Sequence, residues 1–321
     1  MNDLKTLFRR APWLSTKRPA HAFVLGRGRL TYVGPENPGR PASGTPPAVR
    51  SVSSPLPPDA FVEGPAGAPV AGASFAGAVS RLLAEAAVKT PAASLVVPDD
   101  FVRVLVVDVE DAERHAREVE EILTWKFGRT FGEPVPPLRL SWRPAGAGAA
   151  GTRVLALAIP EEAAASWEAP FERSGIRIGA VETETLAISS LGATALAGDG
   201  VVLWAREATS TAAYFEEGGL RFLRVRPSGG GETALAEFRA TAAFVAPPAA
   251  GADDPAVRIP CAAGPTGAPA VAALVEFRKA SGGPPVSPLS LAALLPGTRV
   301  ASGRADGAEL LAALGAMAGK D

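Results

Sequence analysis

The feature that most constrains the fold is a pattern that occurs twice: short apolar runs joined by a turn, followed by a helix signal. Residues 21–34 contain two apolar runs around Gly26-Arg27-Gly28, which is typical of a β-hairpin. Residues 200–227 show the same arrangement. Apolar residues at helical spacing follow at 74–89 and at about 232–244. Two such halves predict a pseudo-duplicated α/β fold.

A compact unit separates these halves, with predicted elements in the order β-β-α-β-β-α-β-α. Pro98-Asp99-Asp100 separates its first two strands, and Gly175 ends its second helix. The elements are predicted at 93–98, 101–109, 110–127, 138–143, 152–160, 161–173, 175–182 and 184–192. Elsewhere the sequence predicts a strand near 49–52, a strand at 256–262, a helix at 268–279, a strand or short helix near 289–295 and a terminal helix at 306–317.

Composition excludes several classes of function. The 321 residues carry a formal net charge of -1, so the chain lacks the basic face that nucleic-acid binding needs. The one cysteine, Cys261, excludes an intrachain disulfide and a cysteine-rich zinc site, and two histidines, His21 and His115, argue against a histidine metal centre. Because the sequence has neither an apolar run of about 20 residues nor a signal-peptide pattern, we expect a cytoplasmic protein.

The order of features between 93 and 190 is similar to that of a known family. SLVVPDDFVRVLVVDV resembles paired strands around a Pro-Asp turn, and EDAERHAREVEEILTWKF resembles an acidic helix that ends in aromatic residues. PPLRLSWR, TRVLALAIPEEAAASWEAPFERSGIRIGAVETETLAI and, further on, RFLRVRPSGGGETALAEF resemble the later strands and helices. The family is PilM, the actin-like cytoplasmic protein of type IV pilus assembly. The cytoplasmic region of the type II secretion protein GspL is a close second.

The resemblance implies an α/β fold of the actin-like (ribonuclease H-like) duplicated class with an inserted small α+β subdomain. The implied divisions are an N-terminal amphipathic segment at 1–20, a first actin-like half at 21–91, the inserted subdomain and the return to the first half at 92–190, and a second half at 191–321. The resemblance also implies a scaffold, peripheral at the cytoplasmic face of the inner membrane, that binds the cytoplasmic tail of a PilN-like bitopic membrane protein beside the subdomain. Sibling subunits and a pilus motor ATPase are further implied partners.

An actin-like ATPase needs two glycine-bearing hairpins whose amides wrap phosphates, and carboxylates that hold a hydrated Mg²⁺. In the first hairpin, Val24 stands where the family has Asp. In the second, Trp204 and Arg206 stand where it has Asp and Gly. An apolar side chain cannot hold a metal-bound water, and an indole would fill the site. We therefore expect a degenerate actin-like ATPase with no catalysis, no ATP or other cofactor and no metal.

A set of six residues keeps the outline of a nucleotide site: Gly26, Arg27, Gly28, Thr209, Ser210 and Thr211. Arg27 and the nearby Arg29 can attract an anion, whereas the simpler interpretation is that turn arginines serve solubility. A third, adenosine-facing element matches Ala263-Gly264 only weakly. The alternative functions are a divergent actin-fold ATPase or sugar kinase, and the cytoplasmic platform component of a type II secretion system.

Scarce aromatic residues near the predicted subdomain are candidate anchors for a partner. The candidate partner-binding residues are Phe101, Arg103, Trp125, Phe127, Phe131 and Trp142. The alternative is that these aromatics form the core of the subdomain.

Residues 1–14 are amphipathic. The candidates there for membrane or partner contact are Leu4, Leu7, Phe8, Arg9, Arg10 and Trp13. The alternatives are a frayed terminus and an FtsA-like membrane tether, although tethers of that family lie at the C-terminus.

Four acids that lie close in the sequence, Asp99, Asp100, Asp108 and Asp111, suggest a metal site at first sight. Their places at a turn, at a strand end and in the first turn of a helix favour capping and helix-dipole roles instead. The sequence contains neither a P-loop lysine motif nor a Gly-x-Ser-x-Gly elbow.

Overall fold

The computed structural model describes residues 18–36, 48–110, 116–131, 136–149, 151–193, 198–217, 219–227, 231–246, 254–265, 268–303 and 305–318. These residues form two similar α/β halves and a smaller three-stranded subdomain. Among them, no helix is long and apolar enough to cross a bilayer. The amphipathic segment predicted at 1–14, with its candidate contacts Leu4, Leu7, Phe8, Arg9, Arg10 and Trp13, lies outside the described residues.

The first half is a six-stranded sheet with helices on its outer face. Three strands form an antiparallel meander, and two more run parallel to the first of them. Across the sheet the strands are β10 (Arg177–Thr183), β6 (Ala92–Val97), β1 (Ala22–Leu25), β2 (Arg29–Pro35), β3 (Ala48–Pro55) and β16 (Arg299–Ser302). The outer helices are α1 (Phe75–Glu85) and α3 (Glu161–Glu172), and the small hairpin of β4 (Phe61–Glu63) and β5 (Pro69–Ala71) packs on α3.

The second half repeats this topology. Across its sheet the strands are β13 (Gly219–Pro227), β12 (Thr209–Glu216), β11 (Val201–Ala205), β14 (Cys261–Gly264) and β15 (Ser287–Pro288). The first three form the antiparallel meander, and β14 and β15 continue in parallel. Its helices are α5 (Gly231–Val245), α6 (Pro255–Arg258), α7 (Pro269–Ser281) and α8 (Leu291–Leu294). The predicted pseudo-duplicated α/β fold is therefore confirmed.

The third unit is inserted between β6 and α3. Its antiparallel sheet has the order β7 (Arg103–Val109), β9 (Gly151–Pro160), β8 (Leu138–Gly148), and α2 (Ala116–Phe131) packs on one face. The range 92–190, predicted to hold the inserted subdomain and the return to the first half, also contains β6 and β10, which pair within the first sheet. The run SLVVPDDFVRVLVVDV thus forms two strands of different sheets rather than a pair.

The last elements of the chain return to the first half. The short helix α4 (Glu184–Ile188) follows β10, and α9 (Gly307–Met317) is the terminal helix. β16 pairs in parallel with β3, and α9 packs on β1 and β6. The predicted second half at 191–321 therefore ends before β16. Local sequence patterns do not reveal this return, because the pairing partners lie near the other end of the chain.

The prediction of a strand at 256–262 is wrong in its first part. Asp254 accepts a hydrogen bond from the N–H of Ala256, and Pro255 occupies the first helical position, so the chain forms α6 before β14 begins. Strands β4, β5 and β16 have no counterpart in the sequence-based prediction.

Four apolar clusters arrange these elements in layers. A central cluster between the two sheets contains α4 and α9, two outer clusters lie between each sheet and its own helices, and a fourth lies beneath α2. In β1, Ala22 and Val24 belong to the central cluster, whereas Phe23 and Leu25 belong to an outer one. Alternate residues of a strand point to opposite faces, so a sheet covered on both sides needs a continuous apolar run.

Gly315 lets α9 approach α4 closely, since a Cβ atom at this position would lie 2.0 Å from the carbonyl oxygen of Ala187. We predict that Gly315→Ala lowers the free energy of unfolding by about 1–3 kcal/mol, because buried backbone must move. Urea-induced unfolding measures the loss. On the same helix, a Cβ atom at Gly307 would meet nothing within 4 Å, so Gly307→Ala should change stability by less than about 1 kcal/mol. Equal losses in the two variants would contradict the prediction.

Candidate functional site: the cleft between the two halves

Two equivalent turns converge on the first turn of α9. In the turn between β1 and β2, the N–H of Gly26 donates to the carbonyl of Arg29 at 2.7 Å; between β11 and β12, the N–H of Arg206 donates to the carbonyl of Thr209 at 2.7 Å. These turns correspond to the hairpins that would wrap phosphates in an ATPase of this class. Because both amides are bonded within their own turns, neither is available to a phosphate.

The two positions where an ATPase would need carboxylates are apolar and buried. Val24 is completely buried and Trp204 is 1% exposed, and both belong to the central cluster. The indole of Trp204 lies directly against β14: a Cβ atom at Gly264 would lie 2.7 Å from its Cζ3. Trp204 therefore covers the segment Ala263-Gly264 that the sequence matched to the adenosine-facing element. The indole occupies the space beside this segment.

Glu184, the first residue of α4, is the acid at the centre of the cleft. It is 3% exposed, and its Oε2 accepts a hydrogen bond from Nε1 of Trp204 at 2.9 Å and lies 3.3 Å from Nε of Arg206. Trp204 and Arg206 belong to the second half, so Glu184 joins the two halves. Burial raises the pKa of Glu184 to about 7; the positive charge of Arg206 opposes this rise and the carboxylate of Asp99 reinforces it.

Asp99 makes a second link between the halves. Its carboxylate accepts hydrogen bonds from the N–H of Thr185 at 3.0 Å and from the hydroxyls of Thr185 and Thr211 at 2.5 Å each. It thereby caps the start of α4 and binds β12 of the second half. Burial raises the pKa of Asp99, and the hydrogen bonds from the threonines oppose the rise. The capping role expected for Asp99 from the sequence agrees with this geometry.

The first turn of α9 closes the cleft. Asp306 caps the helix by accepting a hydrogen bond from the N–H of Glu309 at 2.7 Å, and its carboxylate lies 3.7 Å from Nη1 of Arg206. Glu309, 2% exposed, accepts from the hydroxyl of Thr31 at 2.8 Å and lies 3.3 Å from Nε of Arg29. Burial raises the pKa of Glu309, and Asp306 adds to the rise. Carboxylates of the chain itself therefore face the arginines of both turns.

The six residues predicted for residual nucleotide binding do not form one accessible surface. The buried group comprises Gly26, Thr209, Ser210 and Thr211; the exposed group comprises Arg27 and Gly28. Arg27 pairs with Asp100 and lies 5.9 Å from the ring centroid of Phe101. Arg27 thus lies against the 3₁₀ turn Asp99–Phe101 of the same half.

Among the predicted partner-binding residues, three belong to apolar cores. Phe101 is 3% exposed in the outer cluster of the first half. Phe127, on the inner face of α2, is completely buried in the apolar cluster of the subdomain. Trp142 is half-buried against the same cluster as Phe127. For Phe101 and Phe127 the structure corrects the proposed role as anchors, because a partner could not reach them without breaking a core.

The other three predicted partner-binding residues are placed differently. Trp125 is 62% exposed on the outer face of α2. Arg103 is half-buried and donates to the carbonyl of Asp100 at 3.3 Å. Phe131 ends α2, and its side chain lies outside the described part of the structure. Of the five candidates whose side chains the structure describes, Trp125 is the one with an extensive exposed surface.

The described ranges contain no group of three or more His, Cys, Asp or Glu side chains that could hold a metal ion. Asp108, from the acidic run, accepts from the N–H of Ala149 at 2.8 Å and lies 3.3 Å from Nε of Arg153. Burial raises the pKa of the Cys261 thiol to about 12, which leaves it protonated and unreactive, in agreement with the buried position expected from the sequence.

Glu184, Asp306 and Glu309 are members of the site that no sequence pattern indicates. The pattern Asp306-Gly-Ala-Glu309 is a helix-start signal, but it does not show that Glu309 is buried. That burial depends on Thr31 and Arg29, which lie at the other end of the chain. A single sequence does not show whether an acidic side chain faces water or is buried in a core.

Two halves of equal topology, with their first hairpins converging on a shared cleft and a subdomain inserted in the first half, define an actin-like (ribonuclease H-like) fold. The predicted fold class is confirmed by solved structures. The fold is similar to that in the PilM-PilN type IV pilus biogenesis complex, with a TM-score of 0.53 and 20% identity over 73% of this chain and 67% of that chain. At this identity the likeness establishes the fold alone.

A protein of unknown function from Bacteroides thetaiotaomicron, with an actin-like ATPase fold, has a TM-score of 0.53 and 9% identity over 94% of this chain and 97% of that chain. The cytoplasmic domain of EpsL, an inner-membrane component of the type II secretion system of Vibrio cholerae, has a TM-score of 0.49 and 10% identity over 94% and 95% of the two chains; this score is too low to support an inference. No protein-family model and no curated protein match the sequence.

The raised pKa of Glu184 predicts how stability depends on pH. Between its ordinary value of 4.5 and about 7, the native state binds more protons than the unfolded chain, so the free energy of unfolding falls as the pH rises. The contribution of Glu184 across this window is about 3 kcal/mol. The raised pKa values of Asp99 and Glu309 act in the same direction.

We therefore expect Glu184→Gln to flatten the dependence of stability on pH between about 4.5 and 7, since glutamine keeps an acceptor for Trp204 without the charge. Urea unfolding of the wild type and the variant at a series of pH values measures this slope. Glu162 is exposed on α3 outside the cleft, so Glu162→Gln is the matched control and should keep the wild-type slope. An unchanged slope in Glu184→Gln would show that this carboxyl group does not titrate as described.

Proposed function

We propose that this chain is a non-catalytic scaffold in the inner-membrane assembly platform of a type IV pilus or a related machine. We also propose that it lies at the cytoplasmic face of that membrane and binds the cytoplasmic tail of a PilN-like bitopic protein. The single observation that carries the non-catalytic part is the closed cleft, where Glu184 and Asp99 link the two halves. The fold similarity to the PilM-PilN complex supports the choice of machine and partner.

Three physical features of the cleft argue against the alternative of an ATPase or sugar kinase. Val24 and Trp204 offer no carboxylate to a hydrated Mg²⁺. The amides of Gly26 and Arg206 are bonded within their own turns. A phosphate beside the buried Glu309 would add like charge in a medium of low dielectric constant, where repulsion is strong. Nucleotide binding would therefore require the halves to separate and the buried acids to lose their partners.

We predict that calorimetric titration of the full chain with Mg-ATP gives no saturable heat below about 1 mM nucleotide, a concentration at which binding is worth only about 4 kcal/mol. Phosphate release should not exceed that of buffer. An actin-fold sugar kinase titrated under the same conditions serves as the positive control. Micromolar binding with turnover would overturn the non-catalytic assignment and favour the enzyme.

The proposed partner is a membrane protein with one span and a short cytoplasmic tail, and sibling subunits and a motor ATPase would complete the platform. The inserted subdomain is the proposed docking region, because it is the part that the two repeated halves do not need for their own sheets. Of the contact residues predicted from the sequence, Arg103 and Trp142 are half-buried there and stay as candidates for the tail.

The partner is tested by cross-linking the full chain in intact membranes, purifying it and identifying the bound proteins by mass spectrometry. We expect a bitopic protein, and a synthetic peptide of its cytoplasmic tail should bind the isolated chain more tightly than a scrambled peptide does. The identity of the captured protein distinguishes a pilus from a type II secretion system. Capture of no bitopic membrane protein, or equal binding of the tail peptide and the scrambled peptide, would reject the partner.

A further inference from the structure

The outer face of α2 carries an apolar pair that the core of the subdomain does not use. Val119, Leu123 and Phe127 form the inner face and are at most 2% exposed, whereas Ile122 is 40% exposed and Trp125 is 62% exposed. A tryptophan side chain is a large apolar group to leave in water. The apolar cluster between this helix and the sheet of the subdomain includes neither Ile122 nor Trp125.

Charged residues bracket this pair on the same ridge of the helix. Glu118, Ile122, Trp125 and Arg129 follow one another at spacings of four, three and four residues, which places them in a line along one side of a helix. Glu118 and Arg129 are both exposed. The ridge is therefore negative at its N-terminal end, apolar in the middle and positive at its C-terminal end.

The series of negative, apolar and positive side chains along this ridge is complementary to the same ridge placed in the opposite direction. Glu118 and Arg129 lie at equal distances on either side of the midpoint between residues 123 and 124, and so do Ile122 and Trp125. The next charged pair on this side of the helix, Glu121 and Lys126, has the same midpoint. If two copies of α2 lie antiparallel across a two-fold axis at that midpoint, Glu118 meets Arg129 and Ile122 meets Trp125. Glu121, which pairs with Arg117 of its own helix, lies opposite Lys126.

We propose that a second copy of this chain docks on this ridge, with the two α2 helices antiparallel around a two-fold axis. Ile122 of each copy then packs against Trp125 of the other, and Glu118 faces Arg129 at both ends. Such an isologous contact is the commonest kind in homo-oligomers. A parallel pair would place Glu118 against Glu118 and Arg129 against Arg129, and repulsion between like charges disfavours it.

A contact within a single copy of α2 already orients two side chains of the ridge for the proposed pairing. The guanidinium of Arg129 lies 5.5 Å from the ring centroid of Trp125, which keeps both side chains along the ridge. From this position Arg129 can stay on the indole while it reaches Glu118 of the second copy. Side chains ordered in advance lose less entropy when the contact forms.

The size of the contact sets its expected strength. The ridge spans about three helical turns, or roughly 16 Å, so a pair of such helices buries less than the ~1,200 Å² that marks the lower limit of stable interfaces. We expect a dissociation constant on the order of tens of micromolar or weaker. Copies held together by a shared assembly would still pair, because tethering raises their effective concentration.

The first experiment is sedimentation velocity of the full chain over a concentration series. The wild type should shift from monomer towards dimer, and Trp125→Ala should weaken the association by about tenfold or more. The matched control is Phe244→Ala, which removes another exposed aromatic side chain (66% exposed) from α5 and should leave the association unchanged. A monomer at every concentration up to about 1 mM, or equal effects of the two variants, would overturn the proposal.

A charge reversal tests the antiparallel register. Glu118→Arg alone and Arg129→Glu alone each place like charges at both ends of the contact, so each should weaken association by about threefold or more. The double variant Glu118→Arg with Arg129→Glu restores both pairs and should restore wild-type association. Failure of the double variant to recover would reject this register. Because all these side chains are exposed, the variants should fold normally, which circular dichroism verifies.

The contact between two copies specifies how the sibling subunits of the proposed function would meet, and it rests on the geometry of α2 and not on the identity of the membrane partner. Binding of the membrane-protein tail peptide to Trp125→Ala separates the two, because the variant should lose self-association and keep the tail. Loss of tail binding with unchanged self-association would assign Trp125 to the partner and overturn the inference. If no tail peptide binds even the wild type, the proposed partner fails while the self-association result stands.

Discussion

The buried contacts of Glu184 and Asp99 with the second half are the constraint on which the arrangement of this protein depends. A carboxylate that is removed from water is costly unless it is fully hydrogen-bonded or paired. Glu184 finds Trp204 and Arg206 only while the halves are closed, and Asp99 finds Thr211 only in the same state. Separation of the halves would break these hydrogen bonds and the pairing with Arg206, so these contacts hold the closed arrangement together.

The central apolar layer depends on the same closure. α9 is apolar on nearly every side and is buried through most of its length, since it covers the first sheet and meets α4. Its first turn supplies Asp306 and Glu309 to the arginines of the two turns. One helix thus closes both the apolar core and the polar cleft. Any change that displaced it would expose apolar surface and uncouple ion pairs together, which makes the closed cleft a cooperative feature.

The sequence revealed the parts of the fold whose causes are local. Glycines in the turn at Gly26-Arg27-Gly28, helical spacing at 74–89 and alternation in the later strands identify the duplicated halves, and the apolar character of Val24 and Trp204 indicates a filled cleft. The pairing of β16 with β3 and the burial of Glu309 could not be predicted in this way. Both depend on contacts between opposite ends of the chain, which leave no local periodicity.

The closed cleft also bears on where the function of this protein can reside. The carboxylates of the cleft bind hydroxyls, an indole and arginines of the same chain, which leaves them little polar capacity for a ligand. The proposed scaffold therefore uses its outer surface for recognition. The inserted subdomain is joined to the first half at β6 and α3, and its described strands, β7, β8 and β9, form a sheet of their own. Its outer helix can therefore display Ile122 and Trp125 without disturbing the duplicated core. The two halves thus form a closed body around the cleft. The inserted subdomain, which lies outside their sheets, exposes the apolar pair of α2 for the proposed contact with a second copy.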